Sequence, residues 1–239
     1  MSHILYVTRN GLLEPLGQSQ IFPYLRGLSR DHLITVISFE KAADRSDSVH
    51  LQKIRYTCRC LGIHWVPLHF RLKPRPWAPA LAIAQLALVA LLQWRRRSRP
   101  HLVHARSYVP AAIALLLHRL TGVPFIFDMR ALWPEELITA GRLQRGSKLH
   151  CSLLRLERLF LHESSAVVSL TQAAVGYLQK QYPIELANQR IAVIPTCVDL
   201  QRFQPVEQSP PVSLVIGCIG TMLSGWFLID WLRAFFEAI

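Results

Sequence analysis

Carboxylates are scarce in this 239-residue chain, and from Ser48 to Phe127 there are none at all. That stretch carries Lys53, Arg55, Arg59, Arg71, Lys73, Arg75, Arg95, Arg96, Arg97, Arg99, Arg106 and Arg119, which together equal the whole net charge of +12. A one-sided basic surface predicts an anionic partner: lipid headgroups, nucleic acid or a phosphorylated substrate. Cysteine is also sparse. The five (58, 60, 151, 197 and 218) never form C-x-x-C, so zinc-ribbon and dithiol redox grammar are absent and reduced thiols in the cytoplasm are expected. The chain opens on the strand-like His3-Ile-Leu-Tyr-Val-Thr8 rather than on a secretory leader. Charged residues are only 18% against 51% hydrophobic, which excludes a disordered chain.

Several catalytic signatures are missing too. There is no G-x-G-x-x-G, no P-loop lysine, no H-E-x-x-H and no serine nucleophile elbow. No metal site is expected. His101 and His104 straddle a strand and fall on opposite faces. Nucleic acid is a disfavoured partner, because the basic stretch has few interleaved aromatics and no recognised binding signature.

What is present is alternation. Strands are predicted at Ile4–Thr8, Leu33–Ser38, Ile63–Val66, Leu102–His104, Pro124–Phe127, Ala166–Ser169 and Ile191–Ile194. Helices are predicted between them at Gln18–Ser29, Val49–Leu61, Pro79–Arg97, Pro110–Leu120, Lys148–Leu161 and Gln172–Gln181. This pattern means βαβ units: an α/β, Rossmann-like parallel sheet flanked by helices. The proline-rich 205–212 reads as a linker. Strand Ser213–Ile219 and a helix from Trp226 then begin a second Rossmann-like domain, so the expected division is 1–204, 205–212 and 213–239.

In open parallel sheets ligands bind beyond the carboxyl ends of the strands, so the loops there supply the candidates. Gly17 opens a predicted helix whose free N–H groups suit an anion, or it is a plain turn glycine. Arg106 and Ser107 follow the fourth strand, and arginine suits bidentate contact with carboxylate or phosphate. Asp128-Met-Arg130-Ala-Leu-Trp133-Pro-Glu135-Glu136 is the densest constellation. There Asp128 is placed to accept a proton or a hydroxyl hydrogen bond. Arg130 is placed to hold an anion or to fix the Asp128 carboxylate.

The run Ala78–Leu92 is apolar except for Gln85 and is followed by Arg95-Arg-Arg-Ser-Arg99. It falls short of the ~20 residues of a membrane span. It reads as a crossover helix, and its composition also suits peripheral contact with an anionic membrane.

Four segments carry a resemblance. Gly11-Leu-Leu-Glu-Pro-Leu-Gly17-Gln-Ser-Gln20, Val103-His-Ala-Arg106-Ser-Tyr-Val-Pro-Ala111, Phe125-Ile-Phe-Asp128-Met-Arg130-Ala-Leu-Trp133-Pro-Glu-Glu136 and Val193-Ile-Pro-Thr-Cys-Val-Asp199-Leu-Gln-Arg-Phe203 resemble family-four, retaining GT-B glycosyltransferases. The resemblance implies a two-domain enzyme with a cleft between its halves. The N-terminal half would bind a carbohydrate or lipid-linked acceptor and the C-terminal half a nucleotide-sugar co-substrate, with no other cofactor. Asp128 would be the catalytic residue, falling where many members carry a histidine. Gly17 and Gln18 would line the cleft near the donor. Arg106, Ser107, Arg130 and Glu135 would orient the acceptor. Gly220 and Thr221 resemble the glycine-rich loop that opens the donor domain. The sequence departs from the family in lacking the donor domain's Arg/Lys pair and its two glutamates eight apart. The resemblance therefore implies a half-enzyme that is inactive alone, or a non-catalytic subunit that supplies this half to a separate donor-binding chain. Location on the inner face of the membrane is the matching expectation.

Overall fold

The computed structural model describes residues 1–70, 78–95, 99–200, 203–204, 216–217 and 228–238. The predicted linker 205–212, nearly all of strand Ser213–Ile219, and Gly220 and Thr221 lie outside the described residues.

Among the described residues seven strands form one parallel sheet: β1 Ser2–Thr8, β2 His32–Glu40, β3 Ile63–His69, β4 Leu102–Arg106, β5 Phe125–Asp128, β6 Ala166–Ser169 and β7 Ile191–Val193. Their order is β3-β2-β1-β4-β5-β6-β7, so the chain reverses direction across the sheet between β1 and β4. A crevice opens at such a switch point. The described helices are α1 Phe22–Leu28, α2 Ala42–Ser46, α3 Ser48–Cys60, α4 Ala78–Trp94, α5 Tyr108–Thr121, α6 Trp133–Thr139, α7 Lys148–Glu163, α8 Gln172–Gln181 and α9 Ile229–Glu237. Each strand predicted between Ile4 and Ile194 has its counterpart, and β6 and α8 have the predicted bounds.

The period of two sorts side chains onto the two faces. Leu5, Val7, Val103, Ala105, Phe125, Phe127 and Val167 are buried with residues of α4, α5, α7 and α8. Tyr6, Ile34 and Val36 are buried on the other face with Ile21, Phe22 and Leu25 and with Ile54 and Cys58 of α3. Fully burying one large apolar side chain contributes about 2 kcal/mol. Phe125 and Phe127 alone therefore outweigh the small intrinsic stability of a four-residue strand.

Three local elements differ from the sequence expectation. The predicted helix Gln18–Ser29 is broken by a π-helical turn at Gly17–Ile21 before α1. Trp133–Thr139, expected as loop, is helical, with Pro134 in its first turn beside Glu135 and Glu136. Proline and acidic residues both favour a helix start. The short α2 was not anticipated. Thr171 caps α8, its Oγ1 accepting from Ala174 N at 3.1 Å.

Candidate functional site

Parallel pairing aligns Tyr6 with His104, Thr8 with Arg106, and Arg106 with Asp128. All lie on one sheet face at or near the carboxyl ends of β1, β4 and β5. That register places polar side chains in a row across the switch point, where the opposite face is wholly apolar.

Asp128 is the hub. It is only 4% exposed, and Arg106 only 3%. His104 Nε2 lies 3.3 Å from Asp128 Oδ2. Arg106 Nη1 stands 3.7 Å from the same oxygen, and Arg130 Nη1 stands 3.8 Å from Oδ1. Those two separations are ion pairs without hydrogen bonds. Arg106 Nη1 and Asp128 Oδ1 are both buried and have no hydrogen-bond partner among the described residues. Gln20 ties the guanidiniums together, its Oε1 accepting from Arg106 Nη2 at 3.0 Å and from Arg130 Nη2 at 3.1 Å. Arg130 Nη2 also reaches Thr196 Oγ1 at 3.3 Å. Tyr6 stacks on His104 with ring centroids 4.6 Å apart. Burial pushes the Tyr6 phenol well above its usual range, against the opposing pull of the Arg106 guanidinium. Tyr6 therefore remains a neutral donor at physiological pH.

The backbone around Asp128 is strained. Ser107 has φ +77° and Arg130 has φ +57°, a region that residues other than glycine seldom occupy. Ser107 N donates to the Asp128 carbonyl at 2.8 Å and Met129 N to the Val168 carbonyl at 2.9 Å, so both turns are held by neighbouring strand ends. Such strain costs of order 1–3 kcal/mol per residue and concentrates at functional sites.

Of the residues singled out from the sequence, Asp128, Arg106, Ser107 and Arg130 come together here. Gly17 and Gln18 instead belong to the π-helical turn that carries Gln20. A Cβ on Gly17 would lie 1.8 Å from the Gly11 carbonyl oxygen, so glycine is required there by backbone contact. The Gln18 side-chain amide donates to the Leu12 carbonyl. Glu135 is engaged by Arg145, at 2.6 Å from Nη2, and accepts from the Tyr177 hydroxyl at 3.3 Å. Gly220 and Thr221 lie outside the described residues. Sequence reasoning missed Tyr6, Gln20, His104 and Thr196 as members of the site. One signal was available for His104. It stands two residues before Arg106, on the same side of a strand, and period two alone predicts that they share a face.

Among the described residues no group of three or more His, Cys, Asp or Glu could hold a metal ion. Cys58 is buried, and its thiol is pushed up to about 12 by burial and by nearby Glu40. It is therefore unsuited to nucleophilic work at neutral pH.

The family model described as Glycosyltransferase Family 4 matches residues 24–202. No curated protein sequence matches the chain. Among solved structures, Anabaena HepE in complex with UDP and glucose is 13% identical, with a TM-score of 0.50 over 88% of this chain and 47% of its own. Sucrose-phosphate synthase from Thermosynechococcus elongatus is 12% identical, with a TM-score of 0.56 over 86% of this chain and 51% of its own. Arabidopsis thaliana UGT89C1 complexed with UDP is 12% identical, with a TM-score of 0.52 over 82% and 50%. At these identities the likeness shows the fold: a Rossmann-like half of the GT-B type. The chain spans about half the length of these structures.

Proposed function

Since this chain belongs to glycosyltransferase family 4, we propose that it forms the acceptor-side half of a transferase that moves a sugar from a nucleotide-sugar to a carbohydrate or lipid-linked acceptor, with retention at the anomeric carbon. The observation that carries this reading is the Asp128 cluster at the switch point. Asp128 Oδ1 is an unspent acceptor and Arg106 Nη1 an unspent donor in one small volume. A sugar hydroxyl both donates and accepts, so a single hydroxyl satisfies both groups once the site opens to it. Unpaired buried polar atoms are costly, which gives the site a reason to prefer a hydroxyl over an apolar group.

In this reading Asp128 accepts the hydrogen bond of an acceptor hydroxyl and orients it towards the donor sugar. Arg106 and Arg130 hold that geometry and, with His104, supply positive or neutral polar surroundings. As the glycosidic bond to the nucleotide breaks, negative charge grows on the departing diphosphate. Preorganised positive charge and helix ends stabilise such charge most effectively. Gly17 and Gln18 serve by shaping the turn that carries Gln20. Donor contacts belong to a second Rossmann-like half, supplied in the same polypeptide or by a separate chain. Two of the structurally similar enzymes were solved with UDP, which supports a nucleotide donor of that general kind.

Two experiments test the proposal. The 239-residue polypeptide alone is expected to turn over no nucleotide-sugar, and clear turnover of any of them refutes the division of labour. In a complete two-half protein, Asp128→Asn should lower transfer by tenfold or more, a loss of ~1.4 kcal/mol or greater, while the circular dichroism spectrum is unchanged. Activity within about twofold of the parent removes Asp128 from this role.

A further inference from the structure

Helix α4 joins the end of β3 to the start of β4, and its inner side is buried through Leu86, Ala90 and Gln93. Its outer side is apolar except for exposed Gln85, where a water-facing helix is normally charged. Leu81 is 58% exposed, Leu88 58% and Leu92 52%. At 100° per residue these three fall on one line along the helix. Exposed Arg95 continues that line past the last turn. Arg99, also exposed, stacks its guanidinium over Trp94 at 4.9 Å. Helix α5 packs beside α4 on the same sheet face, and its solvent side presents Leu116 and Leu120, 47% and 65% exposed.

Charge narrows what can cover this surface. No carboxylate occurs between Ser48 and Phe127, so neither helix contributes a negative group. Arg119 on α5 is paired with Glu163 of α7, and among the described residues Arg95 and Arg99 are the exposed arginines at the end of α4. A second copy of this face would bring like charges together. Among the described residues no helix is long and apolar enough to cross a membrane, so α4 has the composition of an in-plane element. Its leucine ridge is bounded by arginines that suit phosphate headgroups. Topology adds a consequence. In a parallel sheet the crossover helix begins at the carboxyl ends of the strands, so the Ala78 end of α4 lies on the side of the sheet where Asp128 ends β5.

We propose that the outer faces of α4 and α5 dock in the plane of an anionic lipid bilayer, with Leu81, Leu88 and Leu92 in the acyl boundary and Arg95 and Arg99 on lipid phosphates. This goes beyond the transferase reading and does not depend on it.

The test is co-sedimentation of the 239-residue chain with phosphatidylcholine vesicles, with and without phosphatidylglycerol. The wild type should sediment with the anionic vesicles, more weakly with the neutral ones, and less as salt rises. Leu88→Gln/Leu92→Gln alters exposed positions only, and circular dichroism confirms its fold. This variant should bind at least about tenfold more weakly, since each buried methylene is worth ~0.8 kcal/mol, or about fourfold. Arg95→Glu should lower binding to anionic vesicles on the order of tenfold and leave neutral vesicles unaffected. Three results overturn the proposal: no sedimentation with anionic vesicles; equal sedimentation of wild type and the leucine variant; or a wild-type dimer that the leucine variant converts to monomer without vesicle binding, which would make the face an interface between copies.

Discussion

Replacing Glu40 with glutamine tests how the candidate site is suspended from the sheet. Glu40 is fully buried at the end of β2. Its Oε1 accepts from Leu12 N at 2.9 Å and from Ser38 Oγ at 2.6 Å, and its Oε2 accepts from Leu13 N at 3.0 Å. Ser38 Oγ in turn accepts from Trp65 Nε1 at 2.8 Å. One carboxylate thus links β3, β2 and the loop leading to Gln20. Glutamine has the same shape but only one accepting atom. Placed to keep the Leu12 and Ser38 bonds, it aims an amide N–H at the Leu13 N–H.

A hydrogen bond to a charged group is worth about 1.5–3 kcal/mol, and an orphaned buried donor costs a further ~1–3. Removing a buried charge recovers some desolvation, so the net loss should be about 2 kcal/mol. For a chain of this size each kcal/mol moves the melting temperature by roughly 2–4 °C. Glu40→Gln should therefore melt about 4–8 °C lower by circular dichroism, and its urea midpoint should fall with no change in slope. A melting point equal to or above that of the wild type would falsify this account of the loop anchor.

Three further expectations follow from particular contacts. Gly17→Ala drives a Cβ into the Gly11 carbonyl and should cost about 3 kcal/mol, the upper part of the overpacking range. Gly176→Ala in α8 meets nothing within 4 Å and should stabilise by roughly 1 kcal/mol through helix propensity. Urea titrations of the two variants moving in the same direction would contradict the contrast.

Glu157 is buried in α7, and its carboxylate accepts from the Tyr182 hydroxyl at 2.7 Å and from the Tyr108 hydroxyl. Burial raises its pKa, against the opposing pull of those two hydroxyls. The folded protein therefore holds this proton to higher pH than the unfolded chain, whose glutamates titrate near ~4.3. Stability is lost as pH rises from that value through the folded pKa. Glu157→Gln should match the wild type in acid and surpass it progressively towards neutral pH. A stability difference that stays constant with pH would count against that burial effect.

Much of the architecture was legible in the sequence. Apolar strand runs alternating with helical patterns require a parallel α/β sheet, and strand positions follow from hydrophobic period and β-branching, which are local properties. The same local chemistry marked Asp128, Arg106 and Arg130, because each follows a strand at the end where ligands bind. Pro134 with Glu135 and Glu136 is likewise a helix start that local chemistry makes readable.

Side-chain partnership was another matter. Glu135 and Arg130 stand in the same short segment, yet Glu135 turns to Arg145 and Tyr177 while Arg130 turns to Gln20, 110 positions away in sequence. Gly17 and Gly176 are the same residue in the sequence. Only the folded chain sets one against another backbone and leaves the other in open space. Composition and period act along the chain and so determined the layers and the strand ends. Register and loop closure bring distant segments together, and they alone decided that Tyr6, Gln20, His104 and Thr196 join Asp128 and its two arginines in one cluster.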